Sequence, residues 1–301
     1  MIQRVSTAGL SDIMLRSALS LQSRMAEKQV ASASGLVSTT YGGLGAKAGT
    51  VLSLESVVSR TQAWSDNTQV AVDRAQSMYS ALGSMVDQLS SLRATISAAR
   101  SDVSGSIDYN SLGAGVLDDL AQMMNLQMDG RYLFSGSRTD TAPVETSKLS
   151  VPTVPSTADT AYFQGDNMLA SVRVSADQSI QYGVSAGDGG FEKALRSANL
   201  VANLTTSPMD DDALTEAYDL ATEALEALLA YQGQMSVQSK RLENAQTAQD
   251  DMMALLKDRI TGLTAVDTAE VTVELSQYES TLQASYSAIG TMFKLSLTDY
   301  L

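Results

Sequence analysis

The stretch VTVELSQYESTLQASYSAIGTMFKLSLTDYL, residues 271–301, decides the fold of this chain. Apolar or small residues recur along it in steps of four and three, at Val271, Leu275, Tyr278, Leu282, Ser285, Ile289 and Met292. This spacing is a heptad repeat, and a helix that carries it must pack against another helix to bury the repeated side chains. We call these positions the C-terminal seam.

The first helical stretch of the chain offers a matching surface. Met14, Ala18, Leu21 and Met25 follow the same spacing, and we call them the N-terminal seam. We predict that both chain ends form one antiparallel helical pair, which is completed by neighbouring copies on assembly. The predicted assembly interface comprises Met14, Ala18, Leu21, Met25, Leu275, Leu282, Ile289, Met292, Phe293 and Leu297.

Composition narrows the classes of function. Of the 301 residues, 44% are hydrophobic but only 5% are aromatic, so we expect small and aliphatic side chains to form most of the buried surface. This is typical of slender helix pairs. The net charge of −14 disfavours binding to nucleic acid and to anionic membranes. No apolar run reaches the length of a membrane span, so we expect no membrane insertion.

The residues that usually carry catalysis are scarce. The chain has no Cys and no His, which removes the thiolate, the commonest general base and the commonest transition-metal ligand. We therefore expect no enzyme activity, no cofactor and no metal site. Carboxylates could in principle serve a glycosidase, at Asp118–Asp119, Asp250–Asp251 or Asp210–Asp212. Neighbours on a helix point about 100° apart, so solvated helix faces explain these groups better.

Periodicity and turn residues divide the chain into five predicted segments. Residues 1–45 form an N-terminal axial helix, and residues 46–129 form long helices of a rod. Residues 130–190 form a β-rich inserted domain. Residues 191–264 return as rod helices, and residues 265–301 form the C-terminal axial helix. The predicted fold class is therefore mainly α: a long antiparallel helical rod or coiled coil built from both chain ends, with a small β-rich insertion.

Local signals place the boundaries. We expect Ser11 and Asp12 to cap the first helix, and the glycine-dense residues 39–45 to form a turn between two helices rather than a phosphate loop. A short helix is predicted over Leu112–Met128. Acidic residues 210–212 favour the start of the second long helix over a Ca²⁺ loop. Thr261–Gly262 is predicted to be a hinge, with the last helix starting near Asp267.

The inserted segment resembles a known family. Its start, GRYLFSGS at residues 130–137, is followed by Thr139 and by Thr141–Ala142–Pro143. Together with YFQGD at 162–166, LQASY at 282–286 and LSLTDYL at 295–301, it is similar to the bacterial flagellar hook–filament junction family, also called hook-associated protein 3, a relative of flagellin. The signature residues are Gly130, Arg131, Tyr132, Phe134, Gly136 and Pro143. Residues 39–45 depart from the Ser-Asp-Asp-Pro-like turn that is usual in this family.

The resemblance implies a structural protein of the extracellular flagellum, exported by the flagellar type III system. It implies self-association in a ring, a hook-associated junction protein as the hook-side partner, flagellin as the filament-side partner, and an export chaperone on the C-terminal helix. One alternative is a flagellin subunit of the filament itself. A remote alternative is a glycan-binding or carboxylate-based enzyme module in the insertion, which exposed Tyr132, Tyr162 or Phe163 beside Asp166 in a cleft would favour.

Overall fold

A computed structural model describes residues 7–99 and 107–298 of the chain, except the side chains of residues 7, 8, 10, 11 and 292–298. The helices are α1 (Thr7–Ser34), α2 (Ala48–Ala99), α3 (Tyr109–Met124), α4 (Gly189–Ala202), α5 (Asp211–Thr264) and α6 (Thr268–Thr298). Short 3₁₀ turns cover Tyr41–Lys47 and Thr146–Lys148. The strands are β1 (Gln127–Met128), β2 (Arg131–Tyr132), β3 (Ala170–Arg173) and β4 (Ser179–Tyr182). The predicted mainly α class is thus confirmed.

The chain forms two compact units. One comprises Met1–Ser59 with Met253–Leu301, and the other comprises Arg60–Met252. The boundaries fall inside α2 and α5, so each of these long helices belongs partly to both units. In the described part of the chain, no helix combines the length and the apolar character that crossing a bilayer requires.

The heptad positions of α2 and α5 form the core of the second unit. The periodic residues of α2 are almost fully buried; they are Met78, Leu82, Met85, Leu89, Leu92 and Ile96. The corresponding residues of α5 are also fully buried; they are Leu214, Leu228, Met235 and Leu242. A polar layer interrupts this core at Gln249, whose amide donates to the Thr68 hydroxyl (3.3 Å) and to the Val174 carbonyl oxygen (2.7 Å). Such a layer costs stability but fixes the register of paired helices.

Helices α3 and α4 approach each other closely at Gly113. A Cβ placed on Gly113 would lie 2.4 Å from the backbone nitrogen of Ala202, so only glycine fits there. The Asn110 amide also donates to the carbonyl oxygens of Ala202 (3.1 Å) and Leu204 (3.0 Å). This contact fixes α3 on the end of α4.

Two β-hairpins lie within residues 127–182, the first at the start of the insertion and the second inside it. Strand β1 pairs with β2 in antiparallel register, with Met128 opposite Arg131. The two residues between them, Asp129 (φ 52°) and Gly130 (φ 71°), both have positive φ, which is the geometry of a type I′ turn. The second hairpin pairs β3 with β4, with Val172 opposite Ile180. The predicted helix over Leu112–Met128 was therefore wrong at its end, because α3 stops at Met124 and Met128 lies on a strand.

Of three helix boundaries predicted from local signals, two were wrong and one is confirmed. The capping prediction for Ser11 and Asp12 was wrong, because α1 begins at Thr7 and Asp12 instead pairs with Arg16 one turn later (2.7 Å). The hinge at Thr261–Gly262 was also wrong, since α5 continues to Thr264. The start at Asp267 is confirmed: its Oδ1 accepts hydrogen bonds from the backbone of Ala269 (2.9 Å) and Glu270 (3.2 Å).

The acidic residues at the start of α5 also act as predicted. Asp210 Oδ1 accepts a hydrogen bond from the Ala213 backbone (2.9 Å), which is a helix cap. Asp211 and Asp212 lie in the first turn, where the positive end of the helix dipole favours negative charge.

Candidate assembly surface

Helices α1 and α6 run antiparallel in the first unit. The chain leaving α1 pairs with the chain entering α6, through Val37 N to Thr264 O (2.8 Å) and Val266 N to Gly35 O (3.0 Å). Gly35 has φ 72°, the left-handed conformation that commonly ends a helix. These bonds hold the end of α1 beside the start of α6, and the two helices pack together along their length. The two terminal helices therefore form an antiparallel pair, as the predicted fold class requires.

The ion pair between Lys28 and Glu274 links the two helices about two turns further along. The hydrogen bond from Lys28 to Glu274 raises the pKa of the Lys28 ammonium group, which stays charged at neutral pH. About a third of each side chain remains exposed, so solvent screens the attraction between them. The pair therefore orients the helices more than it stabilises them.

Burial of the two seams is incomplete. Ala18 (2% exposed) and Val271 (1%) are buried, as is Ala31. The remaining predicted interface residues with described side chains are only partly buried; they are Met14, Leu21, Met25, Leu275, Leu282 and Ile289. The side chains of Met292, Phe293 and Leu297 lie outside the described residues. A heptad pair that leaves most of its seam in contact with water retains apolar surface for further contacts.

Large apolar residues outside the seams are exposed on the same two helices. On α1 these are Ile13 (62% exposed), Leu15, Leu19 (56%) and Val30 (54%). Val273 (68%) and Tyr286 are exposed on α6. Contiguous apolar surface on a protein marks sites of interaction with other proteins. The seam positions were predictable from the sequence, whereas this second set was missed; the steps of four and eleven residues that join Leu15, Leu19 and Val30 place them on one helix face and could have indicated it.

The signature residues have structural roles in the other unit. Phe134 is fully buried and meets Phe191 edge to face, with ring centroids 5.9 Å apart. Gly136 (φ 71°) passes so close to Asp166 that a Cβ would lie 2.0 Å from its carbonyl oxygen. Pro143 is buried, Tyr132 is partly buried, and Gly130 forms the β1–β2 turn beside exposed Arg131. The segment anchors the insertion to the helical core.

The aromatic residues considered for a binding cleft are also part of this core. Tyr162 is fully buried, its hydroxyl donates to the Ala186 carbonyl oxygen (2.8 Å), and burial raises its pKa well above the ordinary value. Phe163 and Tyr132 are partly buried. Burial of these rings argues against the predicted alternative of a glycan-binding module.

The carboxylates considered for catalysis accept hydrogen bonds from their own surroundings. Asp166 accepts from the Ser137 backbone (2.8 Å), the Ser137 hydroxyl and the Met168 backbone (2.9 Å), and these bonds lower its pKa. Asp119 accepts from Gln88 (2.8 Å), and Asp250 accepts from Ser65 (3.3 Å). Among the described residues, no group of three or more Asp or Glu side chains is arranged to hold a metal ion. These contacts give the acids roles in the fold.

The N-terminal part of the chain matches a known family. Residues 5–139 match the model for the bacterial flagellin N-terminal helical region. This range contains α1, α2, α3 and the GRYLFSGS segment. The match confirms the predicted resemblance to the flagellin superfamily for this part of the chain. No curated protein sequence was found to match the chain.

Solved structures share the fold at low sequence identity. A protein from Vibrio parahaemolyticus described as a flagellar hook-associated protein has a TM-score of 0.60 and 18% identity, covering 75% of this chain and 99% of its own. FlgL from Bacillus cereus has a TM-score of 0.52 and 12% identity, and the match covers 68% of this chain and 99% of FlgL. Flagellar hook-associated protein 3 from Legionella pneumophila has a TM-score of 0.52 and 13% identity, and the match covers 70% of this chain and 98% of the Legionella chain. The chain therefore has the fold of these proteins.

Proposed function

We propose that this protein is a structural adaptor at the junction between the hook and the filament of the bacterial flagellum. Residues 5–139 match the flagellin N-terminal helical region, and the chain has the fold of hook-associated proteins. The observation that carries the proposal is the paired α1 and α6 with a partly buried seam. Such a pair has only a small core of its own and gains by packing against further helices. In this reading, self-association in a ring completes the seam and supports growth of the filament for motility.

Such an adaptor contacts a different protein on each of its two sides. A hook-associated junction protein contacts it on the hook side, and flagellin contacts it on the filament side. An export chaperone covers the C-terminal seam of α6 before type III export, because an unpaired heptad helix exposes its apolar stripe. Two of the solved structures compared above are named as hook-associated proteins, which supports a structural role over catalysis.

Localisation on cells tests the proposal. In a strain that lacks its own copy of this protein, the tagged wild-type chain should restore swimming, and immunogold should label the base of each filament. A chain that ends before residue 288 lacks the end of the C-terminal seam, and we expect it to be stable but to give neither label nor swimming. A matched control is Val151→Ser, which changes an exposed residue (77%) of the insertion. Label along the whole filament, or normal swimming of the truncated chain, would contradict the proposal.

A flagellin subunit of the filament is the second candidate. The match of residues 5–139 to the flagellin N-terminal helical region favours it, because that region is named for flagellin itself. A flagellin needs only copies of itself to polymerise, whereas an adaptor needs two unlike neighbours. Long filaments that grow from the purified chain alone, seen by negative-stain electron microscopy, would favour the flagellin. Short rings, or growth only after flagellin is added, would favour the adaptor.

A further inference from the structure

A small cavity lies inside the second unit, where α2 meets both hairpins. Arg74 of α2, the segment between Arg131 and Thr139, and the β3–β4 hairpin all contribute to its wall. The cavity has a volume of about 40 Å³, which is room for about three water molecules. Neither the seams nor the proposed function involve this cavity. Most of its wall is apolar, and the residues concerned are Met78, Leu133, Leu169, Ala170 and Val184.

Two arginine side chains line this cavity, and neither has a close acidic partner. The Nε of Arg74 is shielded from solvent but has no hydrogen-bond partner. The Arg74 Nη2 lies 4.0 Å from the Oδ2 of Asp129, which is beyond hydrogen-bond distance, and the Asp129 side chain is 66% exposed. In the described part of the chain, the Arg131 side chain has no hydrogen bond or ion pair. A buried donor without a partner commonly marks a place where a water molecule or an ion binds.

The two arginines make this part of the molecule locally positive. The whole chain has 34 acidic and 20 basic residues, so two arginines beside one distant carboxylate run against its overall charge balance. Asp166 packs against Gly136 of the same wall, but its carboxylate already accepts hydrogen bonds from the backbone and hydroxyl of Ser137 and from the Met168 backbone. An anion in the cavity would therefore balance charges that the described residues leave unpaired.

Shape and polarity favour a carboxylate among the possible anions. The guanidinium group of arginine presents a planar row of donors that matches the two oxygens of a carboxylate. A carboxylate group fits a volume of about three waters, whereas a phosphate group, which has more heavy atoms, does not. The apolar side chains of the wall can pack against a short alkyl group. These features describe a small organic acid.

We infer that this cavity binds the carboxylate of a small organic acid, with Arg74 and Arg131 as the donors. The bound carboxylate provides a partner for the Arg74 Nε and joins the start of the insertion to α2. The small volume favours a free acid over an acidic side chain of another protein, because the backbone of such a residue would have to stay outside the cavity. The inference is independent of the proposed function, which concerns α1 and α6.

NMR of the purified full-length chain tests the inference, with the Nε–H signal of Arg74 as the reporter. Sodium acetate replaces sodium chloride at constant ionic strength and neutral pH, so that general screening by salt stays constant. We expect the Arg74 signal to shift and to saturate in the millimolar range, since so small a ligand makes few contacts. No response at Arg74, or shifts of equal size at every arginine, would overturn the inference.

Arginine variants locate the site. Arg131→Gln changes an exposed residue, so we expect it to keep the fold by circular dichroism but to weaken acetate binding at least tenfold. Arg173→Gln is the matched control, because Arg173 lies on β3 outside the cavity and its Nε donates to the Ser175 carbonyl oxygen (3.1 Å). We expect this control to bind acetate as the wild type does. Equal affinities of the wild type and Arg131→Gln would contradict the assigned site.

Two further probes identify the kind of ligand. Inorganic phosphate carries more charge than acetate but is larger, and we expect it to bind at least about fivefold more weakly. A glutamate blocked at its amino and α-carboxyl groups represents an acidic side chain of another protein. We expect it also to bind at least about fivefold more weakly, because its backbone cannot enter the cavity. Binding of either probe as tightly as acetate, or more tightly, would overturn the assignment to a small organic acid.

Discussion

Asn125 and Val144 are joined by two reciprocal hydrogen bonds. The Asn125 amide donates to the Val144 carbonyl oxygen (2.8 Å), and its carbonyl oxygen accepts from the Val144 backbone nitrogen (2.9 Å). Asn125 follows α3, and Val144 is a buried residue of the insertion. One side chain therefore satisfies both backbone groups of a buried residue, as a neighbouring strand would do.

Replacing Asn125 by Asp should destabilise the second unit. The change keeps the shape but replaces the donor by a carboxylate that faces the Val144 carbonyl oxygen. We expect a loss of about 1–3 kcal/mol in the free energy of unfolding, measured with urea. Asn67→Asp is the control, because Asn67 donates to the Ala63 carbonyl oxygen on an exposed face of α2. Its effect should stay within about 0.5 kcal/mol; equal losses in both variants would contradict the assigned role.

Replacing two glycines of α3 by alanine should have opposite effects on the stability of the protein. Gly113→Ala places a methyl group against the α4 backbone, and we expect a loss of at least about 1–3 kcal/mol from overpacking. Gly115→Ala meets nothing within 4 Å and should gain roughly 0.5–1 kcal/mol from the higher helix propensity of alanine. Thermal unfolding of both variants measures the difference. A Gly113→Ala protein as stable as the wild type would show that α3 and α4 do not pack this closely.

Removing the Ser137 hydroxyl should raise the pKa of Asp166. The lowered pKa means that Asp166 contributes stability above its unfolded-state pKa, and this contribution is lost as the pH falls through its folded-state pKa. In Ser137→Ala, we expect the pKa of Asp166, followed by NMR, to move upward towards the ordinary aspartate value. Asp159 is the internal reference, because the Ser150 and Ala161 backbones lower its pKa instead. An unchanged pKa for Asp166 would contradict the hydrogen-bond account.

A charge at Val271 should separate α1 from α6. Val271 is 1% exposed, and an unpaired buried carboxylate costs about 3–5 kcal/mol, which the small core of this pair cannot offset. Amide exchange in α1 of Val271→Asp should therefore become much faster. Val273→Asp is the matched control two residues later, at a position 68% exposed. We expect it to leave exchange in α1 unchanged in the free subunit, and similar acceleration in both variants would argue against the seam.

Repeated patterns were predictable from the sequence, whereas single contacts were not. The C-terminal seam of α6 and the long rod helices within residues 46–129 and 191–264 were predicted because one physical requirement, burial of a helix face, repeats at every turn. The end of α3 was missed, although Asp129–Gly130 is a strong hairpin signal, because the apolar spacing continued to Met128. The hinge predicted at Gly262 was wrong because one glycine lowers the stability of a long helix by only about 1 kcal/mol relative to alanine.

The site itself was only partly predictable. Seam positions such as Ala18 and Val271 follow from spacing along the chain. The exposed Leu15, Leu19 and Val30 of α1 were missed because their spacing, four and then eleven residues, departs from the regular steps of four and three that mark a seam. The role of Gly113 depends on Ala202, which is distant in the sequence and close only after folding. The burial of Tyr162 likewise depends on the carbonyl of Ala186.

Hydrogen–deuterium exchange tests the central claim most directly, because it measures how completely α1 and α6 are covered. The free subunit and assembled flagella would be compared over residues 7–34 and 268–298, with Met78–Ile96 of α2 as the internal reference. Terminal helices with incomplete burial should exchange at least about tenfold faster than α2 in the free subunit, and should become protected on assembly. Equal and strong protection of α1 and α6 in the free subunit, unchanged in flagella, would contradict the account.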